Sequence, residues 1–279
     1  MTITETAYAK ANLVLRVGPP RADGLHPLCS LFASLALADH VHVEASDADV
    51  VVCPGVTGDN LAARAAVAFR AVVPKLPPLR ITIDKRIPIA AGLGGGSADG
   101  AAVLRAANRL TGAGLVAPDL RRLAAGLGSD VPSQVEARHS IVAGVGDQLR
   151  PTELPAMALV LVPQRRGLST AAVYAELDRL RAGSGWSVED TLDPEPLRRL
   201  AQAPLDALAA GLVNDLQPAA ISLRPELERP LASLARSGAL AAQVTGSGPT
   251  TFGVFSDRAA ARAAAAQIAG AFVTELRPC

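Results

Sequence analysis

Residues 87–110 read IPIAAGLGGGSADGAAVLRAANRL, and five glycines fall within the nine residues 92–100, directly before an Ala-rich segment. Glycine loses more backbone freedom on folding than other residues, so a run of it destabilises a loop unless bare backbone is needed there. Backbone N–H groups at the start of a helix bind phosphate oxygens, and the helix dipole favours negative charge at that end. The stretch therefore predicts a phosphate-binding loop followed by a helix.

The spacing of the glycines separates three kinds of phosphate loop. A Walker loop needs Lys and then Ser or Thr after its last glycine, but Ser97 follows Gly96 directly. A dinucleotide-binding turn needs a strand that runs straight into the first glycine, and here KRIPIAA (85–91) intervenes. A wide loop that wraps several phosphate oxygens, with Ser97 at the start of the helix, fits best. A plain surface turn remains the alternative for a glycine run taken alone.

The composition favours a small-molecule partner. Of 279 residues, 49% are hydrophobic, and 27 basic against 26 acidic residues leave a formal charge of +1. No overall field therefore attracts the chain to nucleic acid or to an acidic membrane surface. The sequence does not predict an oligomeric state.

Length and cysteine usage indicate a two-domain cytoplasmic protein. Pro151, Pro155 and a change of pattern place a domain boundary near residue 150, which gives domains 1–150 and 151–279. Cys29, Cys53 and Cys279 lie far apart without neighbouring ligands, so we expect free thiols rather than disulfides or a zinc site. No signal sequence or long apolar segment is evident.

Hydrophobic periodicity predicts an α+β protein. Alternating apolar residues indicate strands at 12–17, 39–45 and 80–86, and a continuous apolar run indicates a buried strand at 155–163. Residues 241–256 read as strand, glycine turn and strand, and 183–196 as a surface loop. The predicted helices are 59–73, 97–110, 117–127, 169–182, 197–211, 214–222, 225–237 and 257–270.

Four motifs in order carry a resemblance to a known family. PIAAGLGGGSADGAA (88–102) is similar to the central motif of the GHMP kinases, in the glycine-expanded form of the 4-diphosphocytidyl-2-C-methyl-D-erythritol kinases. AYAKANLVLRVGPPRADGLHPLCSLF (7–32) resembles that family's Pro-Ala-Lys-x-Asn-Leu and Arg-x-Asp-Gly-Tyr-His pattern. LGSDVP (127–132) and VTGSGPTTFGVF (244–255) resemble its two later motifs.

The resemblance implies a fold and an activity. The fold is the two-domain GHMP kinase fold, with a ribosomal-protein-S5-like α/β domain followed by a ferredoxin-like α+β domain. The activity is ATP-dependent phosphorylation of the 2-hydroxyl of 4-diphosphocytidyl-2-C-methyl-D-erythritol, in non-mevalonate isoprenoid precursor synthesis. The alternatives are another GHMP kinase acting on homoserine, mevalonate or a sugar, and an inactive nucleotide-binding module.

The resemblance also implies roles for individual residues. Asp130 would be the catalytic base, with Lys10 as the cation beside it, although a turn aspartate or a solvated strand lysine would fit each position without the motifs. Mg²⁺ would arrive with ATP and reach Ser97. The implied ATP-binding residues are Asn60, Pro88, Ile89, Ala90, Ala91, Gly92, Leu93, Gly94, Gly95, Gly96, Ser97 and Ala98.

The acceptor, a cytidine diphosphate alcohol, would be bound by a second set: Asn12, Leu25, His26, Tyr174, Gly246, Ser247 and Gly248. A helix-core role for Tyr174 and a helix-cap role for Asn60 remain open. Some residues depart from the family pattern, which puts acceptor affinity in doubt more than reaction type. These are Tyr8 in place of proline, Leu25 in place of tyrosine, Asp99-Gly100 where Asn-Ala is common, and Ser133-Gln134 where apolar residues are usual.

Overall fold

The computed structural model describes residues 1–182 and 192–278, which form two compact units. The first unit comprises Met1–Ala9, Leu37–Ile89 and Gly94–Arg138. The second comprises Lys10–Ala36, Ala90–Leu93 and His139–Cys279. Two long strands, β1 (Ile3–Val17) and β2 (Leu28–Ala45), contribute residues to both units.

The first unit packs helices on a small sheet. Its further strands are β3 (Val50–Val52) and β4 (Leu79–Asp84). Strand β4 pairs antiparallel with β2 and parallel with β3. The helices are α1 (Leu61–Val72), α2 (Gly95–Thr111), α3 (Ala117–Ala125) and α4 (Val131–Gln134).

Alternation and small side chains explain this packing. In β4 the apolar residues Leu79, Ile81 and Ile83 are buried, as a half-buried strand requires. Helices α1 and α2 bury mainly alanines, which allow their axes to approach closely. The hydrophobic core of the first unit also contains Leu127 and Val131, which lie on either side of the segment containing Asp130.

The second unit contains two sheet regions. Strand β2 pairs antiparallel with β5 (Ser140–Gly144), which pairs with β6 (Gln148–Pro151), and β1 pairs parallel with β8 (Val213–Asn214). The other sheet has the order β11-β7-β10-β9 and is antiparallel. Its strands are β7 (Ala158–Val162), β9 (Ala241–Val244), β10 (Thr251–Phe255) and β11 (Phe272–Glu275).

The helices of the second unit surround these strands. A 3₁₀ turn, Pro225–Leu227, precedes α9. The helices are α5 (Thr170–Arg181), α6 (Pro194–Ala201), α7 (Leu205–Ala210), α8 (Gln217–Leu223), α9 (Glu228–Arg236) and α10 (Arg258–Ala265).

The predicted elements are largely confirmed, with corrections. The single helix predicted at 197–211 is wrong, because Pro204 ends it and the chain forms α6 and α7 instead. The loop predicted at 183–196 is wrong from Pro194, where α6 begins, and residues 183–191 lie outside the described residues. The final helix stops at Ala265, and the chain then forms β11.

Three further expectations concern the whole chain. Cys29 and Cys53 are free thiols, as predicted, while Cys279 lies outside the described residues. The domain boundary near residue 150 stays a prediction. It would divide the chain into two consecutive domains, whereas each compact unit combines three separate segments. Within the two described ranges, no helix combines the length and the apolar character needed to cross a bilayer.

Candidate active site

The glycine loop opens onto the N-terminus of α2 through left-handed backbone. Gly94 precedes the helix as its cap residue with φ 72°, and no side chain caps the helix there. The first-turn N–H groups of Gly95, Gly96 and Ser97 have no acceptor within the helix. The helix is 17 residues long, so its dipole places partial positive charge at this end. These features fit a phosphate group.

In the second unit, the preceding part of the loop packs on the C-terminal glycine motif. Gly92 has φ +75°, and a Cβ there would lie 2.6 Å from the carbonyl oxygen of Gly248. The N–H of Thr250 donates to the carbonyl of Ala91, and that of Lys10 donates to the carbonyl of Leu93. Only glycine at position 92 allows two backbone segments to approach so closely.

Lys10 and Asn12 contact each other on β1. Lys10 Nζ donates to Asn12 Oδ1 at 2.8 Å, and both residues are buried, with 5% and 2% exposed. The Lys10 ammonium also lies 4.7 Å from the ring centroid of Phe32. A Cβ at Gly246 would lie 3.1 Å from Asn12 Oδ1 and 3.7 Å from Lys10 Nζ. The glycine motif therefore lies directly beside this pair.

Hydrogen bonds on both sides fix the Asn12 amide. Its Nδ2 donates to Ser30 Oγ at 2.9 Å, and its backbone N–H donates to Thr245 Oγ1 at 3.0 Å. With Oδ1 accepting from Lys10, both ends of the amide have partners. A buried cation held by a fixed amide is suited to stabilising negative charge on a bound group.

Asp130 lies in the first unit, at the start of the one-turn helix α4. It is the residue before Val131, and its carboxylate does not cap the helix. Its backbone carbonyl accepts a hydrogen bond from Ser133 Oγ at 2.7 Å. Ser133, one of the departures from the family pattern, therefore has a local structural role.

His26 and Tyr174 are brought together in the second unit. Their ring centroids are 4.9 Å apart. His26 Nε2 lies 2.9 Å from Asp178 Oδ1, and the histidine side chain is 7% exposed. Tyr174 also packs against the core beneath α5. Leu25, by contrast, is 54% exposed.

Sequence reasoning missed Asp178. It lies four residues after Tyr174 on α5, and residues at this spacing share a helix face. That spacing was the available signal, since a polar ring at 26 and an aromatic ring at 174 were both expected near the acceptor.

Asn60 has a structural role. Its Oδ1 accepts the N–H of Ala62 at 2.8 Å and caps α1. This confirms the helix-cap alternative and leaves its contact with adenosine a prediction.

A buried ion network adjoins the start of α2. Lys85 Nζ donates to Asp39 Oδ2 at 2.5 Å and to Asp99 Oδ2 at 2.8 Å. Asp39 Oδ1 accepts the N–H groups of Arg86 and Ile87. The other Asp99 oxygen, Oδ1, is buried with no hydrogen-bond partner among the described residues. Burial raises the pKa of Asp99 to about 7, against the opposing effect of Lys85.

Comparisons with known proteins identify the family. Residues 60–138 match the GHMP kinases N terminal domain, and 193–274 match the GHMP kinases C terminal domain. The 4-diphosphocytidyl-2-C-methyl-D-erythritol kinase of Streptomyces coelicolor is 42% identical, covering 90% of this chain and 87% of that protein. The Mycolicibacterium smegmatis enzyme of the same name is also 42% identical, covering 98% and 87%.

Comparison with solved structures supports the same family and fold. A crystal structure of 4-(cytidine 5'-diphospho)-2C-methyl-D-erythritol kinase superposes with a TM-score of 0.82 at 34% identity, covering 99% of this chain and 100% of that one. L. major mevalonate kinase shares the fold, at 14% identity and a TM-score of 0.73, covering 100% of this chain and 97% of that one. The chain therefore belongs to the 4-diphosphocytidyl-2-C-methyl-D-erythritol kinases, a family of small-molecule kinases within the GHMP kinases.

Proposed function

We propose that the chain transfers the γ-phosphate of ATP to the 2-hydroxyl of 4-diphosphocytidyl-2-C-methyl-D-erythritol, in the cytoplasm and as a step of non-mevalonate isoprenoid precursor synthesis. The observation that carries this is the 42% identity, over 98% of the chain, to a relative named for that substrate. The residues that such a transfer needs are present at the positions described above.

Asp130 is the proton acceptor in this proposal. Phosphoryl transfer requires alignment, neutralisation of charge and often a base for the attacking hydroxyl. The Asp130 carboxylate begins a short helix without capping it, and a positioned carboxylate can accept the proton of a substrate hydroxyl.

Lys10 stabilises the charge that develops on the transferred group. Its ammonium is buried and held by Asn12, so little reorganisation is needed when negative charge appears nearby. In this proposal Asn12 also contacts the polar end of the acceptor, together with Gly246, Ser247 and Gly248.

ATP binds along 88–98, with its phosphates at the start of α2. Among residues 1–182 and 192–278, no group of three or more acidic, histidine or cysteine side chains could hold a metal ion. In this proposal Mg²⁺ is bound mainly by phosphates and water, with Ser97 as a protein contact. When bound, it neutralises phosphate charge.

The cytosine ring is read by His26 and Tyr174. A neutral imidazole offers one donor and one acceptor, and the tyrosine supplies an aromatic face. Leu25 lies beside His26 in sequence and contributes an apolar contact. This set favours a cytidine acceptor over homoserine, mevalonate or a free sugar, and a chain that keeps Lys10 and Asp130 is not expected to be an inactive module.

The test is a coupled ADP-release assay over a panel of acceptors. We expect ADP release with 4-diphosphocytidyl-2-C-methyl-D-erythritol and only background release with homoserine, mevalonate or galactose. Release with one of these and not with the cytidine compound would overturn the substrate. ATP binding without release in any reaction would favour the inactive module.

A further inference from the structure

Arg105 lies in the middle of α2, and its guanidinium group contacts two other segments of the first unit, β1 and the end of α4. Nε donates to Glu5 Oε2 at 2.8 Å, and Nη2 donates to the carbonyl oxygen of Thr6 at 2.8 Å. Nη1 donates to the carbonyl oxygens of Gln134 and Val135 at 2.9 Å and 3.4 Å. All three nitrogen atoms therefore have acceptors within the fold.

Two of these acceptors belong to the end of α4. Gln134 is the last residue of this four-residue helix, and Val135 is its C-terminal cap. The last carbonyl groups of a helix lack intrahelical partners, and a single turn gains little stability from its own hydrogen bonds. A guanidinium at this end satisfies such carbonyls and lies at the negative end of the helix dipole. Arg105 therefore stabilises α4 from outside the helix.

The other end of α4 begins at Asp130. Ser133 Oγ donates a hydrogen bond to the Asp130 carbonyl oxygen. This bond couples the backbone at Asp130 to the rest of α4. Because α4 is only one turn long, a shift at Gln134 is transmitted to Asp130 within four residues. The buried side chain of Val131 anchors the same turn to the core.

We propose that Arg105 is a positioning residue for phosphoryl transfer, which holds α4 so that the Asp130 carboxylate stays aligned to accept the proton of the substrate hydroxyl. The inference rests on the function proposed above, in which Asp130 is the base. Helix α2 then organises two parts of the reaction: its N-terminus binds phosphate, and Arg105 fixes the turn that carries the base.

Arg109 provides a matched control on the same helix. It lies one turn further along α2 and pairs with the other oxygen of the same carboxylate, Glu5 Oε1, at 2.9 Å. Its side chain is 61% exposed, against 21% for Arg105. Arg109→Met therefore removes an ion pair to Glu5 while it keeps the hydrogen bonds from Arg105 to α4.

The first experiment is steady-state kinetics with ATP and 4-diphosphocytidyl-2-C-methyl-D-erythritol. Arg105→Met should lower kcat about 10- to 100-fold, the effect of a small misplacement of a reacting group. Both KM values should stay within about twofold, because the base acts in the transition state. Arg109→Met should keep kcat within about twofold of the unmodified protein. Equal effects of the two variants, or an unchanged kcat in Arg105→Met, would overturn the proposal.

A second, more conservative variant tests the proposal even if Arg105→Met fails to fold. Arg105→Lys keeps the charge and much of the stem but not the planar fork that reaches several acceptors at once. Its kcat should be several-fold below that of the unmodified protein, again with little change in KM. An unreduced kcat in Arg105→Lys also counts against the proposal.

A double-mutant cycle separates positioning from general packing. If Arg105 acts through Asp130, adding Arg105→Met to Asp130→Asn should lower kcat by less than about twofold further. If the double variant instead shows the product of the two single reductions in kcat, the role proposed for Arg105 is overturned, while that of Asp130 is not. Near-normal turnover of Asp130→Asn by itself would overturn the proposed base, so the two failures are distinguishable.

Discussion

At the scale of single residues, Asp130 offers the most direct test of the chemistry. Asp130→Asn keeps the size of the side chain and does not remove a helix cap, because the carboxylate does not cap α4. We expect kcat to fall by about 10²–10⁴-fold, the usual contribution of a positioned base, while ATP affinity measured by calorimetry stays near normal. Turnover close to that of the unmodified enzyme would exclude Asp130 as the base.

Leu25 bears on acceptor affinity. It is 54% exposed, follows Asp23 and Gly24 in a loop, and precedes His26, whose ring packs against Tyr174. Leu25→Tyr restores the aromatic residue of the family pattern, and a stacked base gains roughly 1–3 kcal/mol from an aromatic partner. We expect the acceptor KM to fall several-fold with kcat unchanged. An unchanged or higher KM would show that cytosine does not lie against this residue.

Asp99 should make the stability of the protein depend on pH. Burial raises its pKa from 3.8 to about 7, so the folded state holds a proton that the unfolded state releases. The free energy of unfolding therefore falls as pH rises from about 4 to 7 and then levels off. Asp99→Asn cannot titrate.

The stability of Asp99→Asn relative to the unmodified protein should accordingly increase across that interval, when both are measured by urea unfolding at a series of pH values. Parallel curves would mean that Asp99 titrates in the folded state as it does in the unfolded chain. Asn is also the residue common in the family at this position, and it offers Lys85 an oxygen acceptor without a second buried negative charge.

At the scale of secondary-structure elements, the first turn of α2 allows packing and phosphate binding to be separated. A Cβ at Gly95 would lie 3.0 Å from Ile87 Cγ2 and 3.3 Å from Lys85 Nζ, whereas at Gly96 the nearest atom, Leu61 Cδ1, is 3.7 Å away. Gly95→Val should therefore lower the melting temperature. Gly96→Val should weaken ATP binding, measured by calorimetry, because Gly96 is exposed at the phosphate-binding end and a Cβ there meets only an ordinary van der Waals contact. Normal ATP affinity in Gly96→Val would place the phosphates elsewhere.

Sequence patterns predicted elements with strong periodicity and missed those defined by distant partners. The Ala-rich helices α1 and α2 have spacing that a single segment reveals. Strands β3, β8 and β11 are two to four residues long, so they carry no readable alternation and exist only through pairing. The one helix predicted at 197–211 ignored the effect of Pro204, which starts α7 instead.

The candidate site divides in the same way. Lys10 and Asn12 are two residues apart, a spacing that puts both on one face of a strand, and they do contact each other. The Asp39, Lys85 and Asp99 network joins β2, the end of β4 and α2. No local sequence pattern predicts three charged residues that come together only after folding. The contacts of Arg105 with α4 could not be predicted from the sequence for the same reason.

At the scale of the whole molecule, the two compact units do not correspond to consecutive parts of the chain. Each unit is assembled from three separate segments, and β1 and β2 contribute to both. The two prolines and the change of pattern near residue 150 report only a change along the chain. Contacts between segments far apart in sequence define the units, which is why the sequence did not reveal this division.

His139 ties two of the distant segments of the second unit together. It is 3% exposed, and its Nδ1 accepts the backbone N–H of Ser34 at 3.0 Å. The carbonyl of Ser34 in turn accepts the N–H of Arg277, near the C-terminus. Burial lowers the pKa of His139 below its ordinary value of 6.5; a hydrogen bond to the Arg277 backbone opposes this shift, and the nearby charge of Arg277 adds to it.

Acid should therefore destabilise the protein through His139. Below about pH 6.5 the unfolded chain binds a proton that the folded protein resists, so the free energy of unfolding falls as the pH is lowered. His139→Asn supplies an amide oxygen near the position of Nδ1 and cannot titrate. It should cost some stability at pH 8 through lost packing, yet lose less than the unmodified protein between about pH 6.5 and 5. Urea unfolding followed by circular dichroism measures both slopes. An acid slope as steep in His139→Asn as in the unmodified protein would assign the effect to other groups.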